Sequence, residues 1–332
     1  MLRIGTLGSS RISSPALIEP AARVPEVTVA AVAARDPARA EAYALRHGLE
    51  GAYGSYEELL ADPDIDAVYN PLPNSLHGPW TLRAIEADKH VLCEKPFASN
   101  ADEAAQVAQA ASASGLVVME AMHYRYHPLT QRLTEVVGEL GPVRHIQAWT
   151  SFAIVDPGDI RYDYGLSGGA MMDGGCYAID CLRLLGGDKP SVTGALADPV
   201  DPGAVPKAAD RSLAVQLAFP GGATGWFESS FTRDGPFRAD LHVICEDGLV
   251  HLDNFIFPGR GRLIATREGT AVADEPGTGE STYVYQLRAF AAAIASGEPV
   301  PTSAASALVT MRLIDDAYRA AGLAPRPAGG RA

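Results

Sequence analysis

Along the first third of the chain, short apolar runs alternate with alanine-rich stretches of helical period, the pattern of a parallel sheet covered by helices. Leu2 to Leu7, Val27 to Ala34, Ala67 to Asn70, His90 to Cys93 and Leu116 to Glu120 read as five strands. Between them, Ser55 followed by Glu58 opens a helix as a capping box, and Pro79 to Ala87 forms another before Lys89. Ala101 to Ala113 is rich in strong helix formers, with Asn100 as its cap and Gly115 as its stop.

Near residue 122 the period changes. Val143 to Phe152, Leu213 to Phe219, Thr224 to Phe231, Ala239 to Cys245 and Leu249 to Leu252 are strand-like, and no long helix separates the later ones. Turn signals at Pro220-Gly221-Gly222, Asp234-Gly235 and Asp247-Gly248 punctuate them, so a mostly antiparallel sheet is expected. A helix around Gly175 to Leu185 interrupts the series, and helices over Thr282 to Ala295 and Ser303 to Ala321 close it. The Asp-, Pro- and Ala-rich stretch 196–210 reads as a surface loop, and Pro325 to Ala332 as a frayed tail.

These patterns give an α/β plus α+β fold class: a doubly wound Rossmann sheet followed by a mostly antiparallel, open-faced sheet. Residues 1–122 form the first domain and 123–300 an α+β domain. Residues 301–332 are then a C-terminal helix and tail that pack back on the body. A chain of 332 residues is long enough for two cores and a ligand cleft. Its net charge of −13 argues against a nucleic-acid or anionic-membrane partner, since both need clustered cations. No apolar run reaches membrane-spanning length, and MLRIGTLGSS lacks the features of a secretory signal, so a cytoplasmic location is expected. Cys93, Cys176, Cys181 and Cys245 show no metal-ligand spacing and read as reduced, buried thiols.

The first strand runs into Gly5-Thr6-Leu7-Gly8-Ser9-Ser10-Arg11-Ile12, a turn at a helix N-terminus where unpaired N–H groups attract pyrophosphate. Against G-x-G-x-x-G only Gly8 is kept, with Ser10 and Ser13 at the second and third glycine positions. On this segment alone, a strand-turn-helix without a ligand explains the residues equally well. Pro20 should kink or shorten the helix that follows. The second strand ends at Arg35-Asp36, with Arg39 one turn on. Arg35 suits a ribose 2′-phosphate, whereas Asp36 keeps the 2′-hydroxyl of NAD open; NADP(H) is favoured over NAD(H).

The run VYNPLPNSLHGPWTLRAIEADKHVLCEKPFA, then MEAMHYRYHP, then GGAMMDGGCYAIDCLR, resembles the Gfo/Idh/MocA oxidoreductases. Within the family it is most similar to the branch of glucose-fructose oxidoreductase, xylose dehydrogenase and dimeric dihydrodiol dehydrogenase. The resemblance implies that Lys95 is the catalytic lysine and that the Lys95-Pro96 bond is cis. It implies that Tyr177 is the second acid/base group, and that Asp173 binds a substrate hydroxyl and orients Lys95. A lysine beside a nicotinamide, and a phenol beside a cation, are both suited to exchanging a proton with a reacting oxygen.

The same resemblance implies that Pro71, Leu72, Asn74 and His77 line the cofactor, that Glu94 bonds the nicotinamide ribose, and that Arg161 and Tyr285 lie near the nicotinamide. Tyr124, Arg125 and Phe152 are implied as substrate wall. The substrate is then a sugar, polyol, cyclic diol or keto compound, no metal is needed, and the protein is a homodimer or homotetramer. Three rivals stand beside this reading. They are a non-catalytic NADP-binding sensor of the same fold, a sugar-sugar oxidoreductase that never releases its cofactor, and a zinc alcohol dehydrogenase, whose ligands the sequence lacks.

Overall fold

The computed structural model describes residues 1–232 and 235–329; Asp234 of the expected Asp234-Gly235 turn, and residues 330–332 of the expected tail, lie outside the described residues. The chain forms two compact bodies. The first comprises Met1–His123, Tyr283–Leu308 and the chain from Ala328; the second comprises Tyr124–Thr282 and Val309–Pro327.

The first body is built on six parallel strands, β1 (Leu2–Leu7), β2 (Val27–Ala33), β3 (Gly51–Tyr53), β4 (Ala67–Asn70), β5 (His90–Cys93) and β6 (Val118–Glu120), in the order β3-β2-β1-β4-β5-β6. This is the doubly wound order, whose reversal between β1 and β4 opens a ligand crevice at the carboxyl ends of the strands. Its centre is nearly continuous apolar sequence because both faces are covered: Ile4, Val32, Ala67, Val68, Val91 and Leu92 are fully buried. Strand β3 is absent from the sequence reading. It is three residues long, starts on glycine and pairs only with Ala31–Ala33 at the edge, so no apolar run announces it.

Local chemistry sets the helix ends. Asp36 caps the helix Pro37–His47 by accepting from the Ala38 N–H, Pro37 fills its first turn, and Gly48 ends it in the left-handed region at φ 67°. Ser55 accepts from the Glu58 N–H, while the Glu58 carboxylate reaches back to the Gly54 N–H, one residue before the cap. The helix expected from Pro79 starts at His77 instead. After the Gly8 loop, a π-helical turn at Ser14–Ile18 leads into a three-residue helix, Glu19–Ala21, that contains Pro20. The widened turn accommodates the proline ring and its missing N–H, so the helix is shortened.

The second body carries an eight-stranded sheet in the order β14-β13-β12-β11-β7-β10-β9-β8. Its strands are β7 (Val143–Ala153), β8 (Ser191–Pro199), β9 (Asp210–Ala218), β10 (Thr224–Thr232), β11 (Arg238–Cys245), β12 (Gly248–Asp253), β13 (Arg262–Arg267) and β14 (Thr270–Pro276). The pairing is antiparallel except between β7 and β10. Strands β8, β13 and β14 lie toward the two edges, where polar and apolar positions mix, and sequence pattern misses them. The expected 196–210 loop is correspondingly shorter, because β8 runs to Pro199. One sheet face is covered by the helix Cys176–Gly186: side-chain atoms of Leu182 and Phe219 crowd Gly225. The opposite face leaves Trp149, Trp226 and His251 half-buried and His242 exposed.

The tail is not frayed at its start. Arg326 has no exposed side-chain surface and is ion-paired with Asp210, which ties residues 324–327 into the second body.

Candidate active site

At the end of β1 the chain turns through Gly8, whose N–H donates to Ala33 O at 2.7 Å and whose φ of +87° suits glycine. A Cβ there would lie 3.1 Å from Leu72, so the Leu72 loop closes on this turn. Ser9, Ser10 and Ile12 are half-buried and Arg11 is exposed. Ser13, at the third glycine position, is fully buried and sits 3.2 Å from the Thr6 hydroxyl, so a hydroxyl pair replaces the close packing that glycine provides. Ser10 contributes its carbonyl, which accepts from the Tyr43 hydroxyl.

Arg35 and Arg39 are both exposed at the end of β2. Arg39 Nη2 reaches Ser9 Oγ at 3.4 Å. Burial raises the Tyr56 phenol above its ordinary value, while the nearby guanidiniums of Arg35 and Arg39 pull it back. Two cations thus bear on one spot beside Gly8, as a 2′-phosphate requires. Asp36 spends a carboxylate oxygen on the helix cap, which weakens its claim as a ribose ligand.

The loops after β4 and β5 are tied to each other. Asn70 donates to His77 O at 3.0 Å and to Thr81 Oγ1 at 3.3 Å. His77 Nδ1 and Nε2 lie 2.7 Å from Pro96 O and Leu72 O. His77, implied as part of the cofactor lining, is 1% exposed, and both its ring nitrogens face main-chain carbonyls. Pro71 and Leu72 are buried and Asn74 is half-buried at the start of a short 3-10 turn.

Lys95 follows β5, is half-buried, and makes the expected cis bond to Pro96. Beside it, Glu94 accepts from the Tyr69 hydroxyl at 2.6 Å, and Glu120 accepts from the Phe97 N–H at 3.0 Å. Burial holds His77 down to about 4 and His123 down to about 3, with the Lys95 charge adding to both effects. Tyr285 is half-buried on the helix Thr282–Ser296 of this same body.

In the second body Asp173 lies in a π-helical turn, Met171–Gly175, that runs directly into the helix bearing Tyr177. The turn sits tightly against the sheet: a Cβ on Gly174 would be 2.6 Å from Phe152 and Ser229 and 2.8 Å from Thr150. Phe152 is half-buried here and packs edge-on to Phe237. Arg161 does not stand apart from this turn. Its Nε donates to Asp173 Oδ2 at 2.9 Å and its Nη1 to Asp159 at 3.2 Å.

Tyr124 and Arg125, implied as substrate wall, both engage Asp180, and Arg125 remains half-buried. Tyr124 is 1% exposed and donates its hydroxyl to Asp180 at 2.6 Å, and Arg125 pairs with both Asp180 oxygens at 3.1 Å. They bind the segment after His123 to the Tyr177 helix, and the Tyr124 and Tyr177 ring centroids are 6.1 Å apart. Sequence reading missed Tyr56, Asn70, Asp180, Asp210 and Arg326 as parts of this framework. Asp180 alone had a signal, three residues after Tyr177 on the same helix face. Among the described residues there is no His, Cys, Asp and Glu grouping able to hold a metal ion, and no helix is long and apolar enough to cross a membrane.

Residues 2–122 match the model of the oxidoreductase family with NAD-binding Rossmann fold, and residues 131–251 match the GFO/IDH/MocA C-terminal domain. The chain is 38% identical over 325 residues to D-xylose 1-dehydrogenase (NADP(+)) 2 of Haloferax volcanii, covering 96% of this chain and 97% of that one. It is 36% identical over 211 residues to trans-1,2-dihydrobenzene-1,2-diol dehydrogenase of Sus scrofa, covering 62% and 61%. Among solved structures it is similar to a 3-ketoreductase from Actinomadura kijaniata in complex with NADP and TDP-benzene, with TM-score 0.86, 27% identity and coverage of 97% and 98%. An aldose-aldose oxidoreductase from Caulobacter crescentus complexed with glycerol gives TM-score 0.86 at 28% identity, with coverage of 96% and 97%.

Proposed function

Because the chain belongs to the Gfo/Idh/MocA family of oxidoreductases, we propose that it transfers a hydride reversibly between NADP(H) and a carbinol or carbonyl carbon of a sugar, polyol, cyclic diol or related keto compound. The nicotinamide supplies and accepts the hydride; the protein binds, orients and moves the proton. The observation that carries this reading is the placement of Lys95 immediately beyond β5, on the carboxyl side of a sheet in the doubly wound order. The Gly8 turn suits a pyrophosphate, and Arg35 with Arg39 suits a 2′-phosphate. In this reading Asp173 holds a substrate hydroxyl, while Lys95 and Tyr177 exchange the proton with the reacting oxygen.

The test follows nicotinamide absorbance with NADP+ and a panel of aldoses, polyols and cyclic diols. Turnover by the native chain is expected, with kcat reduced about 100-fold or more in Lys95→Ala and in Tyr177→Phe, the scale of lost general acid-base catalysis. Tight NADPH binding without turnover of any compound favours the non-catalytic sensor. The likeness to an aldose-aldose oxidoreductase supports a second reading, in which one sugar reduces another on a retained cofactor. NADP(H) released only on denaturing the purified protein, with aldose disproportionation, is its signature.

The protein is further proposed to act in the cytoplasm as a homodimer or homotetramer. Its four cysteines are free and buried, which fits a reducing compartment. The uncovered sheet face offers the association surface, with Trp149, Trp226 and the exposed Ile244 and Leu249 upon it. Sedimentation of Trp226→Glu beside the native chain checks this.

A further inference from the structure

The segment Gly168–Met171 leads into the turn that carries Asp173 and the helix that carries Tyr177. Three side chains from elsewhere in the second body fasten its backbone. Arg326 Nε donates to Gly168 O at 2.6 Å, Ser229 Oγ donates to Ala170 O at 2.7 Å, and the Met171 N–H donates to Asp210 Oδ2 at 2.7 Å. Gly169, between them, has φ +135°, and a Cβ there would collide with Asp210 and Arg326.

Asp210 and Arg326 also bind each other. Arg326 Nη2 lies 2.6 Å from Asp210 Oδ1, and both side chains have 0% exposure. The Tyr318 hydroxyl donates to the same carboxylate oxygen at 2.9 Å and accepts from Arg326 Nη2 at 2.9 Å. Arg326 Nη1 donates to Ala208 O at 3.1 Å, and its guanidinium lies over the Tyr318 ring at 4.0 Å. One residue earlier, Pro325 O accepts from the Tyr164 hydroxyl at 2.9 Å.

A fully buried ion pair is a weak stability device, since well-packed apolar residues of similar volume do as well or better. What apolar residues cannot do is make directional bonds to chosen main-chain groups. Here those bonds go to residues 168 and 171, a few residues before Asp173.

We propose that Arg326, acting with Asp210, is a positioning residue for catalysis: it sets the backbone that aims Asp173 and Tyr177, so the strap 324–327 belongs to the reaction machinery. The inference rests on the functional reading above, in which Asp173 and Tyr177 act on substrate. Small displacements of reacting groups cost large factors in rate, which gives the expected effect its size.

The experiment uses the full chain and a substrate that the native protein turns over, and compares Arg326→Lys, Arg326→Met and the pair Arg326→Met with Asp210→Leu. Each is measured for kcat, KM, thermal midpoint and NADPH affinity by fluorescence. Arg326→Lys, which keeps the charge but lacks the guanidinium fork, is expected to lose roughly tenfold or more in kcat while NADPH affinity stays within about twofold. The double variant, which removes the unpaired buried carboxylate left in Arg326→Met, is expected to regain part of the lost midpoint without regaining kcat. A native kcat in Arg326→Lys, or a kcat that returns with stability in the double variant, overturns the proposal. If the native chain turns over nothing, the functional reading falls first and takes this one with it. If Lys95→Ala abolishes activity and Arg326→Lys keeps it, only the positioning role is lost.

Discussion

Arg161 Nε rests 2.9 Å from Asp173 Oδ2, and the same guanidinium reaches Asp159. The proposed substrate-binding carboxylate is therefore held in place by a cation from its own body. Arg161→Gln is expected to raise substrate KM and lower kcat, together about tenfold in kcat/KM, through a loosened Asp173. NADPH affinity should change little. The opposite split, weak cofactor and normal KM, would return Arg161 to the nicotinamide position that the family resemblance implies.

Arg35 and Arg39 should decide between the two nicotinamide cofactors. Arg35→Ala is expected to weaken NADP+ binding by about 10- to 100-fold, the worth of a charge-assisted contact to phosphate, and to leave NAD+ binding within about twofold. Titration of both cofactors into the two proteins measures it. Equal losses for both would mean that Arg35 contacts something other than the 2′-phosphate.

Gly174 has no room for a methyl group, with Phe152 and Ser229 both 2.6 Å from where a Cβ would stand. Gly174→Ala should cost about 1–3 kcal/mol by overpacking. It should also reduce kcat, because the adjacent Asp173 must move. A thermal midpoint and kcat unchanged from the native chain would contradict the packing described.

Acid should destabilise the first body. His77 and His123 are buried, and burial holds them down to about 4 and about 3 from the ordinary 6.5, although the two carbonyls facing the His77 ring favour its protonated form and oppose the shift there. Between those values and 6.5 the unfolded chain binds more protons than the folded one. Stability is therefore complete above pH 6.5 and falls as pH drops toward 4, at up to about 1.4 kcal/mol per pH unit for each histidine. Thermal midpoints from pH 8 to 4.5 should show this slope, and a His77→Gln, His123→Gln double variant should flatten it. An unaltered slope would assign the acid sensitivity elsewhere.

Much of the fold was legible in the sequence because burial on both faces leaves a mark on every residue of a strand. All five anticipated strands of the first sheet formed, as did the five of the second, since each is a run of apolar or alternating positions. The missed strands, Gly51–Tyr53, Ser191–Pro199, Arg262–Arg267 and Thr270–Pro276, lie toward the sheet edges, where half-exposed positions blur the alternation. The Glu94-Lys95-Pro96 motif and the Asp173 to Tyr177 spacing were readable for a different reason. Their residues are neighbours in the chain, so order and spacing carry them.

By itself, then, the sequence determined the two-sheet plan, the family and the residue types offered for chemistry. Tertiary structure alone decided which of those side chains have surface or donors to offer. The hydroxyl of Tyr124 and the ring of His77, offered by the sequence as ligand-facing groups, have internal partners in Asp180 and in two main-chain carbonyls. Arg326 looked like a loose tail and bonds Asp210 across 116 residues of chain. Local periodicity reports whether a position is buried; it holds no record of a partner so far away, and a buried charge can persist only where folding has brought that partner to it.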